Sequence, residues 1–150
     1  MRHTRTIVAA RSTCLFALVA VGCSGIFGCS GTGSRVGAER AYPQTAVQGE
    51  SLDIQVVRGE TTLTLTNTTS RVFGPCTLWV NAYYSRPLEG LAVGQSLTLP
   101  LKDFRNEHGE SFRGGGFFAT KKPERMVLAQ IEHDGTMYPL VVTRGEPVIK

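Results

Sequence analysis

The sequence predicts an all-β domain, an antiparallel sandwich of about seven strands, set behind a signal peptide and a flexible tether. Three observations predict it. Past residue 50 apolar and polar residues alternate with a period of two, the mark of half-buried strands. Turn-forming residues recur about every 8 to 12 positions, and no stretch carries the spacing of an amphipathic helix.

The leader comes first, over residues 1–22. Arg2, Arg5 and Arg11 precede an apolar run from Cys14 to Gly22, which is the order of a secretory signal: a positive start, an apolar core of roughly 7–15 residues, then small residues. The core is too short to span a bilayer. Ala20-Val21-Gly22-Cys23 resembles the lipobox of bacterial lipoproteins. That resemblance implies removal of the leader and a diacylglyceryl group on the Cys23 thiol, so the membrane is expected as a partner through a covalent lipid anchor. Acyl burial is worth about 0.8 kcal/mol per CH₂, so two or three chains hold stably. Ile26-Phe27-Gly28-Cys29 offers the alternative site, Cys29. A retained signal anchor is the rival reading, because no charge lies between Arg11 and Arg35 and that interval suffices for about 30 Å of hydrocarbon; the Gly and Ser content of its second half opposes a helix. Ser24 stands where the best-known lipoproteins retained on the inner membrane carry aspartate. By that resemblance the expected destination is the outer membrane, facing the periplasm or the cell surface.

Residues 23–49 are rich in Gly, Ser and Thr with little apolar periodicity, and read as a tether. Gly31-Thr32-Gly33 follows no strand and opens no helix, so it is no nucleotide loop. Loss of the three leader arginines takes the basic residues from 16 to 13, against 12 acidic ones. The mature chain is nearly neutral, and no nucleic-acid partner is expected. Lys121, Lys122 and Arg125 form the one local basic cluster, read as a solvated turn.

The domain, residues 50–150, builds its strands in order. Leu52, Ile54 and Val56 alternate with Asp53 and Gln55; the turn Arg58-Gly59-Glu60 follows; Leu63 and Leu65 then alternate with threonines up to Asn67. This is a β-hairpin. Runs at 76–81 and 96–101 repeat the pattern, and the glycines 114–116 introduce a short apolar run at 117–120. Residues 126–133 and 136–143 flank Asp134-Gly135, a type I′ turn signal. Pro100 and Pro139 each remove a ladder donor and are expected at sheet edges or strand ends. Cys76 alternates with Leu78 and Val80 and reads as a small buried residue, with pairing to Cys29 as the alternative. Count and spacing favour an immunoglobulin-like or fibronectin-like sandwich. The rhythm of 63–68 and 90–99 around a Leu-Trp-Val strand resembles the Ig-like domains of bacterial surface lipoproteins. No paired core cysteines surround Trp79, and the resemblance implies a fold without catalytic residues.

The chemistry-bearing residues are few. His108 has Glu107 and Glu110 as neighbours, and His133 has Glu132 and Asp134, but neither has the spacing of a metal site, so no metal and no cofactor is expected. Around Ser111 the sequence Gly109-Glu-Ser-Phe-Arg113 lacks the second small residue of a nucleophile elbow. No catalytic residue is assigned. The expectation is a non-enzymatic, membrane-anchored module acting through contact with an envelope protein. The alternative is a wall-polymer or glycan binder using Trp79, Tyr83 and Tyr84 with Arg86, because aromatic faces stack on sugar rings. A hydrolase or metal enzyme built on Ser111 or His108 is the third reading.

Overall fold

The computed structural model describes residues 39–144. The leader, Cys23, Cys29 and the tether up to residue 38 lie outside them. The strands are β1 (Val47–Gln48), β2 (Leu52–Arg58), β3 (Thr62–Asn67), β4 (Cys76–Val80), β5 (Tyr84–Leu88), β6 (Ser96–Pro100), β7 (Ala129–His133) and β8 (Thr136–Arg144). One 3-10 turn, Leu101–Asp103, follows β6. The described residues contain no helix long and apolar enough to cross a membrane.

The domain is all-β, formed by one curled, mixed sheet in the order β5-β4-β7-β8-β2-β3-β6. The long strand β8 makes the curl. Its first half pairs with β7 and, in parallel, with β1. Its second half pairs in parallel with β2, and the register shifts between Leu52 and Gln55. An antiparallel sheet throughout is therefore corrected at β8. No hairpin links β8 to its N-terminal neighbours, so nothing forces them to run opposite to it. Gly49 sits at the break between β1 and β2, where a Cβ would lie 2.5 Å from the Tyr138 ring.

The alternation of β2 and β3 turns Ile54, Val56, Leu63 and Leu65 inward against Leu78, Val80, Ala129 and Ile131, all fully buried. Each of the valine, leucine and isoleucine side chains contributes about 1.5–3 kcal/mol by leaving water. Cys76 is buried and free, as its parity suggests. Asp134 and Gly135 have φ of 49° and 74°, the left-handed pair of a type I′ turn.

Four expectations need correction. Strand β5 has no counterpart in the sequence pattern, because Arg86 takes an apolar place between Tyr84 and Leu88 and Pro87 signals a break; it pairs with β4 through a turn in which Asn81 and Ala82 have φ of 55° and 53°. Residues 117–120 form no strand, since Gly115 and Gly116 at φ 103° and 113° turn the chain away from any ladder. Pro139 lies inside the sheet, at the point where β8 passes from β1 to β2, whereas Pro100 does end the edge strand β6. The last part of the expected tether, from Arg40 on, is packed onto the domain.

Candidate functional site

The residues singled out for ligand binding do not share a face. Trp79 and Gln130 are cross-strand partners on β4 and β7, as are Trp79 and Ser85 on β4 and β5; all three point outward from the core and all are buried. The covering layer is the segment ahead of β1. Tyr42 meets the Trp79 ring edge-on at 5.3 Å, and the Arg40 guanidinium lies 5.8 Å from its centre. Trp79 Nε1 donates to Glu132 Oε2 at 2.9 Å, while Arg40 donates to both Glu132 oxygens at 2.9 and 2.7 Å. Tyr42 Oη donates to Gln130 Oε1 at 2.9 Å. This strap leaves Trp79 no open face on which a sugar ring could stack.

Tyr84 points to the opposite side, into the core beside Phe112, with ring centres 5.2 Å apart. Its hydroxyl donates to Glu124 Oε1 at 3.1 Å. Burial first, then the hydrogen bond and charge of Glu124, push the phenol up to about 12. Tyr83 lies edge-on to Tyr84 and is the one partly exposed ring of the three. Arg86 pairs with Asp103 at 3.1 Å and so joins β5 to the turn after β6 across the open side of the curl. Beside it a surface groove of about 790 Å³ has Cys76, Leu88 and Leu97 among its apolar lining and Arg86, Glu89 and Glu132 among its charged lining. Burial pushes the Cys76 thiol up to about 11, away from the range of a nucleophile.

The histidines stand apart. His108 has Glu107 at 3.7 Å, and His133 has Asp134 at 3.3 Å. Among the described residues no three or more His, Cys, Asp or Glu side chains gather to hold a metal ion. Ser111 lines a small pocket with Tyr84, Glu110, Arg113, Lys121 and Glu124.

Two features lie outside the sequence-predicted site. The first is the outer side of β6. Asn67 N–H donates to Gln95 and Leu101 N–H to Thr61, so in the β3–β6 register the odd residues of β6 bond to β3. The N–H groups of Ser96 and Thr98 therefore point away from the sheet, and Pro100 has none to offer. Among the described residues no strand pairs with this side. No charged side chain occurs between Glu89 and Lys102, nor between Glu60 and Arg71 on the neighbouring ribbon. The second feature is the loop 113–125, whose Phe117 and Phe118 are 93% and 90% exposed. The signal for both is in the sequence, as an uncharged strand and as an aromatic pair between glycines and lysines.

Comparison with protein-family models, curated proteins and solved structures gives no match for this chain.

Proposed function

We propose that this chain is a non-enzymatic envelope lipoprotein, held by acylated Cys23 on the outer membrane, whose domain works by adding a partner's strand to β6. The observation that carries this reading is the open β6 edge. Sheet edges are normally blunted by charge, by an extra bridge or by a covering segment, and β6 has Pro100 as its one such device. Alternate residues of an added strand would lie over Leu97 and the groove beside it, while its backbone bonds Ser96 and Thr98. The expected occupant is an extended segment of an envelope protein, uncharged where it lies along β6, because that strand carries no charge of its own, with charge tolerated only toward the groove wall that holds Arg86 and Glu89.

The finer fold belongs to the same reading. Strands β2-β3-β6 on one side and β5-β4-β7-β8 on the other follow one another as in an immunoglobulin-like or fibronectin-like sandwich, with β8 passing between the two groups. The strand order supports that assignment.

The test is crosslinking in intact cells with the tagged full-length chain and with Thr98→Lys. A protein recovered by the first and lost with the second supports the reading. Equal recovery with both, or no protein with either, overturns it. Mass spectrometry of the N-terminal peptide checks the anchor, with acylated Cys23 as the expected species and acylated Cys29 or a retained leader as the results that would displace it.

A further inference from the structure

We infer that the loop 113–125 is a bilayer contact, inserting Phe117 and Phe118 among the acyl chains of an anionic membrane while Lys121 and Lys122 meet the headgroups. The inference rests on the membrane-anchored reading above, which keeps the domain within reach of a lipid surface.

The neck of this loop is built to hold. Glu124 N–H donates to the Arg113 carbonyl at 2.9 Å, and the side chains of the same two residues pair at 2.5 Å. Arg58 donates from Nη2 to the carbonyls of Gly114 and Glu124 at 2.7 and 3.3 Å. On the far side Asn81 Nδ2 donates to the Arg125 carbonyl at 2.7 Å, and its Oδ1 accepts from Val127 N–H at 2.9 Å. These bonds close the ends of a compact loop of the kind that projects from a surface.

The tip is the opposite. Ala119 N–H donates to the Gly116 carbonyl at 2.9 Å, and this turn carries two rings that touch each other edge-on at 5.0 Å. Both rings stand almost fully in water. Large apolar side chains left bare together mark a site of contact. The surroundings select the partner. Every exposed charged residue from 113 to 125 is cationic: Arg113, Lys121, Lys122 and Arg125; the one acid, Glu124, is drawn into the neck. An apolar tip followed directly by Lys121 and Lys122, with the nearby acid Glu110 held by Asn106, complements the acyl chains and phosphates of a bilayer, where lysine stems lie along apolar surface with their ammonium groups outside. A protein pocket would have to desolvate those lysines.

The test uses full-length Phe117→Trp protein in vesicles of phosphatidylethanolamine and phosphatidylglycerol. The native Trp79 is enclosed and serves as the internal blank, read from the unsubstituted chain. The expected result is a blue shift of the emission from the introduced indole and its loss to about half or less when brominated lipid is included. Lys121→Glu with Lys122→Glu is expected to restore most of that emission. Red, unquenched emission overturns the inference, as does a blue shift without bromine quenching, which would place the ring against protein. Quenching that survives charge reversal overturns the role of the lysines. Acylated Cys23 found in the same sample with an unquenched indole at the loop tip sinks the loop alone; a quenched indole there without acylated Cys23 or Cys29 sinks the anchor alone.

Discussion

The two ends of the curled sheet treat their surfaces in opposite ways. On the β5-β4-β7 end the outward face is covered by the strap, and the edge is closed: Ser85 exchanges both backbone hydrogen bonds with Arg105, at 2.8 and 3.0 Å. On the β2-β3-β6 end the outward face is a bare array of hydroxyls, with Thr64 and Thr98 3.3 Å apart and Thr66 and Ser96 2.8 Å apart. The first end uses its outer face for stability. The second leaves both face and edge to water, which is where an interaction module must present its contacts.

The largest effects are therefore expected at the covered end. Trp79→Ala removes a fully buried ring together with the seat of Tyr42 and Arg40, and a loss of about 3–5 kcal/mol is expected in urea unfolding. Ser85→Lys forces an ammonium into a buried edge position, and is expected to be as costly or to prevent folding. A loss below about 1 kcal/mol for Trp79→Ala would mean that the strap is not packed on the ring in solution.

Next comes the strap's own fastening. Glu132→Gln keeps an acceptor for Trp79 Nε1 but ends the forked pairing with Arg40. Arg40 is 46% exposed, so the ion pair is discounted for solvent, and a loss of about 1–2 kcal/mol is expected. Hydrogen exchange over residues 40–48 is expected to quicken before that of β4, which distinguishes a released strap from a loosened sheet.

Tyr84→Phe is smaller. The ring keeps Phe112 and loses the bond to Glu124, at a cost of about 1 kcal/mol near neutral pH. Its pH dependence has a definite sign. The folded phenol, at about 12, holds its proton more tightly than the ordinary value of 10. That stabilisation is complete below pH 10 and is lost as pH rises through about 12. Alkaline unfolding of the parent chain is expected to be steeper across this window than that of the phenylalanine variant.

Much of the fold is legible in the sequence because it is local. The alternation of Leu52, Ile54 and Val56 with their polar neighbours requires a strand with one dry face, and Asp134-Gly135 requires a left-handed turn. What is illegible depends on distant partners. Strand β5 exists because β4 and Arg105 flank it, although its own residues carry no pattern. Trp79 has the parity of an outward ring, and it is outward; its burial comes from Arg40 and Tyr42, two residues in a stretch otherwise poor in apolar periodicity. The candidate ligand residues are close in sequence, yet the pleat sends Trp79 and Tyr84 to opposite faces. Phe117 and Phe118 imitate a strand in the sequence, because an apolar run does not report the positive φ of Gly115 and Gly116 before it.

The smallest expected effect sharpens the comparison most. Thr98 is exposed, sits on the outermost strand and has its N–H directed away from β3. A lysine there can extend into water without displacing a buried group, so Thr98→Lys is expected to change unfolding free energy by no more than about 0.5 kcal/mol. The same residue type introduced at Ser85, also on an end strand of the sheet, is expected to be ruinous. Strand position and introduced charge are alike, so the difference reports whether the surroundings of the end strand enclose the side chain, as they do at Ser85 and do not at Thr98. Should Thr98→Lys cost more than about 2 kcal/mol in the purified chain, something within the chain already occupies the β6 edge, and strand addition by a partner would have no place to begin.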